Sequence, residues 1–170
     1  IFETDGWKVV KTFNKYIKVK STLEISDNIT NLTGITRDKC NSGITIDEAL
    51  NEFCGDYMQC DTIVAHNIYF DRSMIKLEIE RNQNLMSVDY QNKIFDMDYE
   101  KQCSKVNYCT MYSGKNICKI EKIDNSGETY IKNPKLEELY KHLFGDIPNN
   151  LHDSLIDTYI CLRCFVKMRF

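Results

Sequence analysis

The chain has 170 residues, 42% of them hydrophobic and 28% charged, a composition and length that predict one domain over residues 1–170. Its net charge of −3 excludes the overall basic field that binds duplex nucleic acid nonspecifically, so any capture of nucleic acid has to be local. No apolar stretch approaches the ~20 residues of a membrane span and no signal pattern is present, so we expect an intracellular protein of cytoplasm or nucleus without a membrane partner.

Eight cysteines are a high number for this length. Disulfide frameworks are typical of small secreted domains that cannot build a hydrophobic core, and a chain of this size can build one. Cys161 and Cys164 form a CxxC pair, but no second pair at zinc-finger spacing accompanies it. We therefore expect reduced, mostly buried thiols, with a zinc site as the weaker alternative.

The first part of the chain predicts a hairpin, a loop region and a helix. Residues 1–20 read as two strands joined at Asp5-Gly6, because Asp-Gly favours a hairpin turn between apolar flanks. The polar stretch that follows, 21–44, is predicted as loop. Thr45 and Glu48 form a capping box that begins an amphipathic helix, since apolar residues recur at three to four positions after it.

The middle of the chain alternates strands and helices. Residues 62–65 are a short apolar strand of the kind that is buried on both faces of a mostly parallel sheet. Polar His66-Asn67 ends it, and Phe70-Asp71 opens a helix with Arg72 directed toward water. Strand, polar turn and helix deliver side chains from the end of a strand into a crevice. Residues 92–97 are predicted as a further strand.

Two turn signals and a helix follow. Asn125-Ser126-Gly127 predicts a hairpin within a loosely patterned region. Pro134 is predicted as the first residue of a helix that Asn133 caps and Gly145 ends.

The last segment, His152-Asp153-Ser154-Leu155-Ile156-Asp157, opens an apolar helix. Five helical residues turn through roughly 500°, so His152 and Asp157 would not share a face if both were helical, and His152 is predicted on the loop ahead of the helix. There its imidazole could reach a water on a cation held by Asp157, while Asp153 or Ser154 caps the helix. The alternative is an ordinary cap followed by a solvated carboxylate.

Asp71 and Asp157 both lie near helix starts, and paired carboxylates suit two-metal phosphodiester hydrolysis. An imidazole has an ordinary pKa of about 6.5, which allows a histidine to accept a proton from water near neutral pH. The ordinary structural alternatives stay open: Asn67 as a turn residue, Phe70 as a core or staple residue, His66 as a strand-end residue and His142 on a helix surface.

The sequence Val64-Ala65-His66-Asn67-Ile68-Tyr69-Phe70-Asp71 resembles the second motif of the DEDD-type 3′-to-5′ exonucleases of the histidine subclass, and His152 to Asp157 resembles the third. Members include the proofreading subunit of bacterial DNA polymerase and ribonuclease T. Leu32-Thr33-Gly34-Ile35-Thr36 is similar to the segment that lines their terminal-nucleotide pocket, although relatives often have histidine in place of Thr33. The similarity extends across nearly the whole chain.

The resemblance implies an α/β, ribonuclease H-like fold, a mixed sheet with helices on both faces. It implies an exonuclease that uses Mg²⁺ or Mn²⁺, two ions in the complete protein, on single-stranded 3′ ends of DNA or RNA. A polymerase or a second copy of the chain is a further candidate partner. The site residues implied are the metal ligands Asp71 and Asp157, the general base His152, and the substrate-binding residues Thr33, Asn67 and Phe70.

One departure concerns the first acidic motif. Relatives begin with a strand carrying Asp-x-Glu, which supplies two more ligands, and Glu3-Thr4-Asp5 has these acids in reversed order next to a hairpin turn. We therefore favour a chain that lacks its first strand over Glu3 and Asp5 as substitute ligands. The rival hypothesis is a noncatalytic nucleic-acid- or protein-binding module with the same fold. The abundance of Asn, Ile and Lys is typical of an AT-rich genome, cellular or viral.

Overall fold

The computed structural model describes residues 1–147 and 152–170. The chain divides into two compact units: unit 1 is Ile1–Ile63 with Arg72–Val106, and unit 2 is Val64–Asp71 with Asn107–Phe170. The strands are β1 (Phe2–Glu3), β2 (Lys8–Val9), β3 (Thr62–Ala65), β4 (Val106–Cys109), β5 (Glu121–Ile123) and β6 (Thr129–Ile131). The helices are α1 (Asp27–Thr33), α2 (Arg37–Asn41), α3 (Ile46–Gln59), α4 (Ile68–Arg81), α5 (Val88–Lys93), α6 (Met97–Gln102), α7 (Thr110–Cys118), α8 (Leu136–Phe144) and α9 (Ser154–Arg169), with a short 3-10 turn at Gln83–Leu85.

The start of unit 1 confirms the predicted hairpin and corrects the predicted loop. β1 and β2 pair antiparallel around the turn that contains Gly6 at φ +85°, but each strand has only two residues. Within 21–44 the chain forms α1 and α2, which begin where the hydroxyls of Ser26 and Thr36 accept backbone N–H groups. These short helices have too few apolar positions for a periodic signal, so only their caps could have indicated them.

The core of unit 1 is built around α3, whose predicted capping box between Thr45 and Glu48 is present. The predicted strand at 92–97 is wrong. α5 ends at Lys93 and α6 begins after the cap Asp96, while Ile94 and Phe95 between them are buried in the core. A short apolar run has no periodicity that distinguishes a strand from a buried connection. The buried core residues are Leu50, Cys54, Tyr57, Ile79, Met86, Ile94 and Phe95.

The prediction that Arg72 is directed toward water is wrong. Its guanidinium contacts the Glu100 carboxylate at 3.1 Å and donates to the Phe95 carbonyl at 3.0 Å, within unit 1. The Tyr57 hydroxyl donates to the other Glu100 oxygen at 2.8 Å. Helical periodicity assigns a charged residue to the solvent side, and the partner that draws Arg72 inward lies 28 residues away in the sequence.

Unit 2 contains the second core, formed by α8 and α9 through Leu139, Tyr140, Ile160 and Cys164. The predicted hairpin is confirmed as β5 and β6, with the Asp124 carboxylate accepting N–H groups across its turn. The predicted start of α8 is wrong, because Lys135 and not Asn133 is its cap and its first residue is Leu136 and not Pro134. The predicted terminator is confirmed, since Gly145 caps the end of the helix at a φ of +88°. β4 and α7 were not predicted. Residues 148–151, part of the loop predicted to precede His152, lie outside the described residues.

The described strands form three two-stranded sheets, β1 with β2, β3 with β4, and β5 with β6. β3 is confirmed in its bounds, but it is half-buried at best and exposed at Thr62, unlike a strand covered on both faces. The finer expectation of one mixed sheet that lacks its first strand stays a prediction. No helix in residues 1–147 or 152–170 is long and apolar enough to cross a membrane.

All eight cysteines are free, and Cys40, Cys54, Cys161 and Cys164 are buried. The thiols are therefore free, as expected, but only four of the eight are buried, so the expectation of mostly buried thiols holds for half of them. Burial raises the pKa of Cys54 and Cys161 to about 11, so these groups remain neutral thiols with little nucleophilic character at neutral pH.

Candidate active site

The junction between β3 and α4 exposes one part of the second motif and buries another. Asn67 has a φ of +75°, a left-handed conformation that asparagine tolerates better than most residues, and its carbonyl accepts the Phe70 N–H at 2.9 Å. Ile68 takes the buried position in the first turn of α4. Phe70 is 62% exposed, so core packing does not account for it. Its ring is available to a ligand.

Asp71 lies in the first turn of α4 and is half-buried. Burial raises the pKa of its carboxyl. The pKa of the Cys161 thiol is raised first by burial and further by the negative charge of Asp71, so this carboxylate lies close to Cys161. Cys161 follows Asp157 by four residues, and residues so spaced share one face of a helix. The charge of Asp71 thus acts on the residue of α9 that lies one helical turn after Asp157.

The third motif forms the start of α9, and His152 lies ahead of the helix as predicted. The cap is Asp153, whose carboxylate accepts the N–H groups of Leu155 and Ile156 at 2.9 and 3.1 Å. His152 is exposed at φ +75°, and its backbone N–H donates to the Asp157 carboxylate at 3.4 Å. The backbone of the predicted base is thus tied to a predicted metal ligand.

His66 is the structural strand-end residue that the sequence suggested. Its Nε2 lies 3.0 Å from the Pro134 carbonyl, which can only accept, so Nε2 carries the ring proton. Its Nδ1 lies 3.0 Å from the hydroxyl of buried Thr110, which also lies 3.3 Å from the Ala65 carbonyl. Burial lowers the pKa of His66. These bonds hold the strand end that precedes Asn67.

Thr110 was missed by sequence reasoning. Besides His66, its hydroxyl lies 3.5 Å from the Cys161 thiol. A threonine that follows an apolar strand has no local pattern to mark it, because its partners come from distant segments. Only the folded chain identifies it.

Thr33 belongs to unit 1, whereas the other five predicted site residues belong to unit 2. It is the last residue of α1, and Gly34 ends that helix at φ +69°. The Thr33 hydroxyl donates to the Ile29 carbonyl at 2.7 Å and accepts the Ile35 N–H at 3.2 Å. The hydroxyl is therefore engaged in its own turn.

Glu3 and Asp5 do not share a strand. Glu3 lies in β1 and pairs with Lys8 at 3.4 Å, and Asp5 lies in the turn. An Asp-x-Glu pair on one strand directs both carboxylates to the same face, because side chains alternate along a strand. This hairpin lacks that arrangement.

The carboxylates of unit 2 fit part of a cation site. In the part of the chain that the structure describes, no group of three or more His, Cys, Asp and Glu side chains is arranged to hold a metal ion. Mg²⁺ is often bound by one or two carboxylates together with water and substrate phosphates. Asp71 and Asp157 suit such a partly hydrated ion, since both are half-buried and neither pairs with a cationic side chain among the described residues.

A family model described as exonuclease matches residues 1–165. The chain belongs to this exonuclease family. Membership confirms the resemblance to the DEDD exonucleases, implies a ribonuclease H-like fold and supports a nuclease function. The mixture of helices and strands is compatible with that fold.

Two curated relatives of the exonuclease chain are PolC-type DNA polymerases III. The protein from Thermotoga maritima is 33% identical over 86 residues, which are 51% of this chain and 6% of that polymerase. The protein from Thermotoga petrophila is 34% identical over 73 residues, 43% of this chain and 5% of that polymerase. The chain thus spans a small fraction of these relatives. No solved structure matches it.

Proposed function

We propose that the protein is a metal-dependent 3′-to-5′ exonuclease that removes nucleotides from single-stranded nucleic-acid ends by two-metal phosphodiester hydrolysis. One observation carries the proposal: Asp71 and Asp157 are half-buried carboxylates in the first turns of α4 and α9, both within unit 2. Two carboxylates at helix starts, within a chain of the exonuclease family, suit a divalent cation and a phosphodiester.

Asp71 and Asp157 would hold the Mg²⁺ or Mn²⁺ ions, which supply Lewis acidity and a lowered pKa for the attacking water. His152 takes the proton of that water. Its imidazole projects from exposed, non-helical backbone that is anchored to Asp157 through its N–H. The anchor keeps the base close to the ligand without occupying either nitrogen of the ring.

Asn67 and Phe70 position the terminal nucleotide. The exposed ring of Phe70 offers a surface for a sugar or base, and Asn67, three residues earlier in a left-handed turn, would bind the nucleotide through its side-chain amide. Thr33 stays a prediction as a substrate-binding residue, and so does the choice between DNA and RNA. The polymerase relatives support a polymerase as a partner.

The test is hydrolysis of oligonucleotides labelled at the 5′ end, with Mg²⁺, Mn²⁺ or EDTA. We expect a ladder that shortens from the 3′ end on single strands and no products in EDTA. Asp157→Asn should remove most turnover at low Mg²⁺, while Glu121→Gln, an exposed carboxylate of the same unit, should retain it. Full activity of Asp157→Asn, or release of nucleotides from the 5′ end, would contradict the proposal.

A noncatalytic binding module is the second candidate, and the small ligand set among the described residues favours it. The discriminating experiment compares residues 1–170 with the chain carrying its native flanking sequence. Hydrolysis that requires the flanking sequence supports ligands supplied from outside these residues. Equal, robust activity of both supports Glu3 and Asp5 as ligands, and single-strand binding without hydrolysis in either supports the module.

A further inference from the structure

Two tyrosines that the proposed mechanism does not use form an exposed pair in unit 2. Tyr69 in the first turn of α4 is 64% exposed, and Tyr112 in the first turn of α7 is 48% exposed. Their ring centroids lie 5.8 Å apart with an interplanar angle of 77°. Both tyrosines remain exposed in this edge-to-face arrangement and therefore offer aromatic surface to a ligand.

The two sides of α7 differ in what they contact. Thr110 and Gly114 are buried, and a Cβ atom on Gly114 would lie 2.8 Å from the Leu139 side chain, so this side packs against α8. Tyr112 lies two residues from each of them and therefore projects away from α8. Lys115 follows Tyr112 by three residues, which keeps it on the Tyr112 side of the helix. Lys119 is the exposed residue that caps the end of α7, with a left-handed φ of +48°.

This outward side is positively charged in an acidic protein. Residues 106–120 contain no aspartate or glutamate, whereas the whole chain has a net charge of −3. Lys115 and Lys119 form no ion pair within the described residues. We call Tyr69, Tyr112, Lys115 and Lys119 the tyrosine–lysine face.

We propose that the tyrosine–lysine face binds single-stranded nucleic acid beyond the terminal nucleotide. The tyrosine rings stack on unpaired bases, and the lysines contact phosphates, the combination by which proteins hold single strands without reading their sequence. A duplex keeps its base faces covered, which makes it the poorer ligand. Tyr69 is adjacent in the chain to Phe70, the proposed contact of the terminal nucleotide, so the face would bind nucleotides next to the terminal one.

The role of this face in substrate binding rests on the proposed function, whereas its binding can be measured without hydrolysis. The probe is a fluorescein-labelled oligothymidylate of about ten nucleotides, a length within the site sizes of single-strand binding folds. Fluorescence anisotropy in EDTA measures the Kd of the full chain. We expect Tyr112→Ala to raise the Kd about tenfold and Tyr112→Phe to leave it nearly unchanged, because phenylalanine keeps the stacking ring.

The matched control is Tyr130→Ala, since Tyr130 lies on β6 of the same unit and is 45% exposed. It should bind like the wild type. Lys115→Gln tests the phosphate contact separately. Removing one such contact from a single strand makes the negative slope of log K against log salt less steep by about 0.7. The slope reports a charge contact, which a change in packing alone would not alter.

Equal Kd values for Tyr112→Ala and Tyr130→Ala, tighter binding of a duplex than of the single strand, or no binding by the wild type would each overturn the inference. If Tyr112→Ala fails to fold, as judged by circular dichroism, the salt slope of Lys115→Gln decides. Loss of single-strand binding in Tyr112→Ala, with no hydrolysis in Mn²⁺ by the wild type either as residues 1–170 or with its native flanking sequence, would support the face and refute the proposed exonuclease. Hydrolysis by the wild type, together with unchanged single-strand binding in Tyr112→Ala, would support the proposed exonuclease and refute the tyrosine–lysine face.

Discussion

Glu100 in unit 1 and Asp71 in unit 2 are both partly or fully withdrawn from water, and their carboxylates have different surroundings. Glu100 in unit 1 is 7% exposed, and both its oxygens are engaged, one by the Tyr57 hydroxyl and one by the Arg72 guanidinium. Asp71 in unit 2 is half-buried, and no cationic side chain among the described residues pairs with it. A compensated buried charge holds a fold together, whereas an uncompensated one indicates a binding site.

Tyr57 completes the closed network of unit 1. Burial, and then its hydrogen bond to Glu100, raise the pKa of Tyr57, so the hydroxyl stays protonated and donates. The same hydroxyl accepts the Phe95 N–H at 3.1 Å, and the Arg72 guanidinium lies over the Phe95 ring. With each polar group satisfied, this network has no free group to offer a ligand, and we interpret it as structural.

The largest expected effect is on the chemistry of unit 2. His152→Ala removes the proposed base without touching a carboxylate, and should lower the single-turnover rate by ~10²–10⁴-fold while metal affinity is retained. The wild-type rate should fall in acid, because a protonated imidazole cannot accept a proton, and the variant should lose this acid limb. His142→Ala, an exposed histidine on α8, is the control. An unchanged acid limb would assign the base to another group.

The next effect is on the stability of unit 1. Glu100→Ala leaves the Arg72 guanidinium without its ionic partner and should cost about 3 kcal/mol in the free energy of unfolding, measured with urea. Glu80→Ala removes an exposed carboxylate and should change it by less than about 0.5 kcal/mol. Equal effects of Glu100→Ala and Glu80→Ala would contradict the interpretation that Glu100 stabilises unit 1 through its partners.

A smaller effect concerns His66, which holds the strand end in unit 2. His66→Gln should cost about 1–3 kcal/mol, because Thr110 and the Pro134 carbonyl lose their partners. Burial lowers the folded-state pKa of His66 below the ordinary value of about 6.5. The unfolded chain therefore binds the proton first, and stability falls as pH drops from about 6.5 toward the lowered value.

Urea titrations at several pH values measure how the free energy of unfolding depends on pH. The loss of stability in acid should disappear in His66→Gln and persist in His142→Gln. An unchanged loss of stability in acid in His66→Gln would show that another group causes it.

The smallest effect on stability is expected at Asp71. In EDTA, the free energy of unfolding of Asp71→Asn should be within about 0.5 kcal/mol of the wild-type value, or higher than it. The reason is that the substitution breaks no salt bridge and removes a charge whose partial burial is costly. Mn²⁺ should stabilise the wild type by mass action and the variant far less. A loss as large as that of Glu100→Ala would show that Asp71 is compensated after all.

Local signals in the sequence predicted the elements whose residues interact over short distances. The Thr45–Glu48 capping box, the turn before β6 and the terminator Gly145 depend on residues at most five positions apart, and all three are present. Local signals also placed two residues of the exonuclease motifs correctly, with Asp71 in the first turn of α4 and His152 ahead of α9. The family match confirms what those motifs indicated.

By itself, therefore, the sequence determined the start of α3, the end of α8, the residues near the starts of α4 and α9, and the family to which the chain belongs. Only the tertiary structure decided that Arg72 turns inward to Glu100, that residues 94 and 95 are buried without forming a strand, and that Thr110 joins His66 to Cys161. Caps and turns have energies set by neighbours along the chain. The burial of a charge depends on partners many residues away, because desolvation is tolerated only where the fold supplies a compensating group.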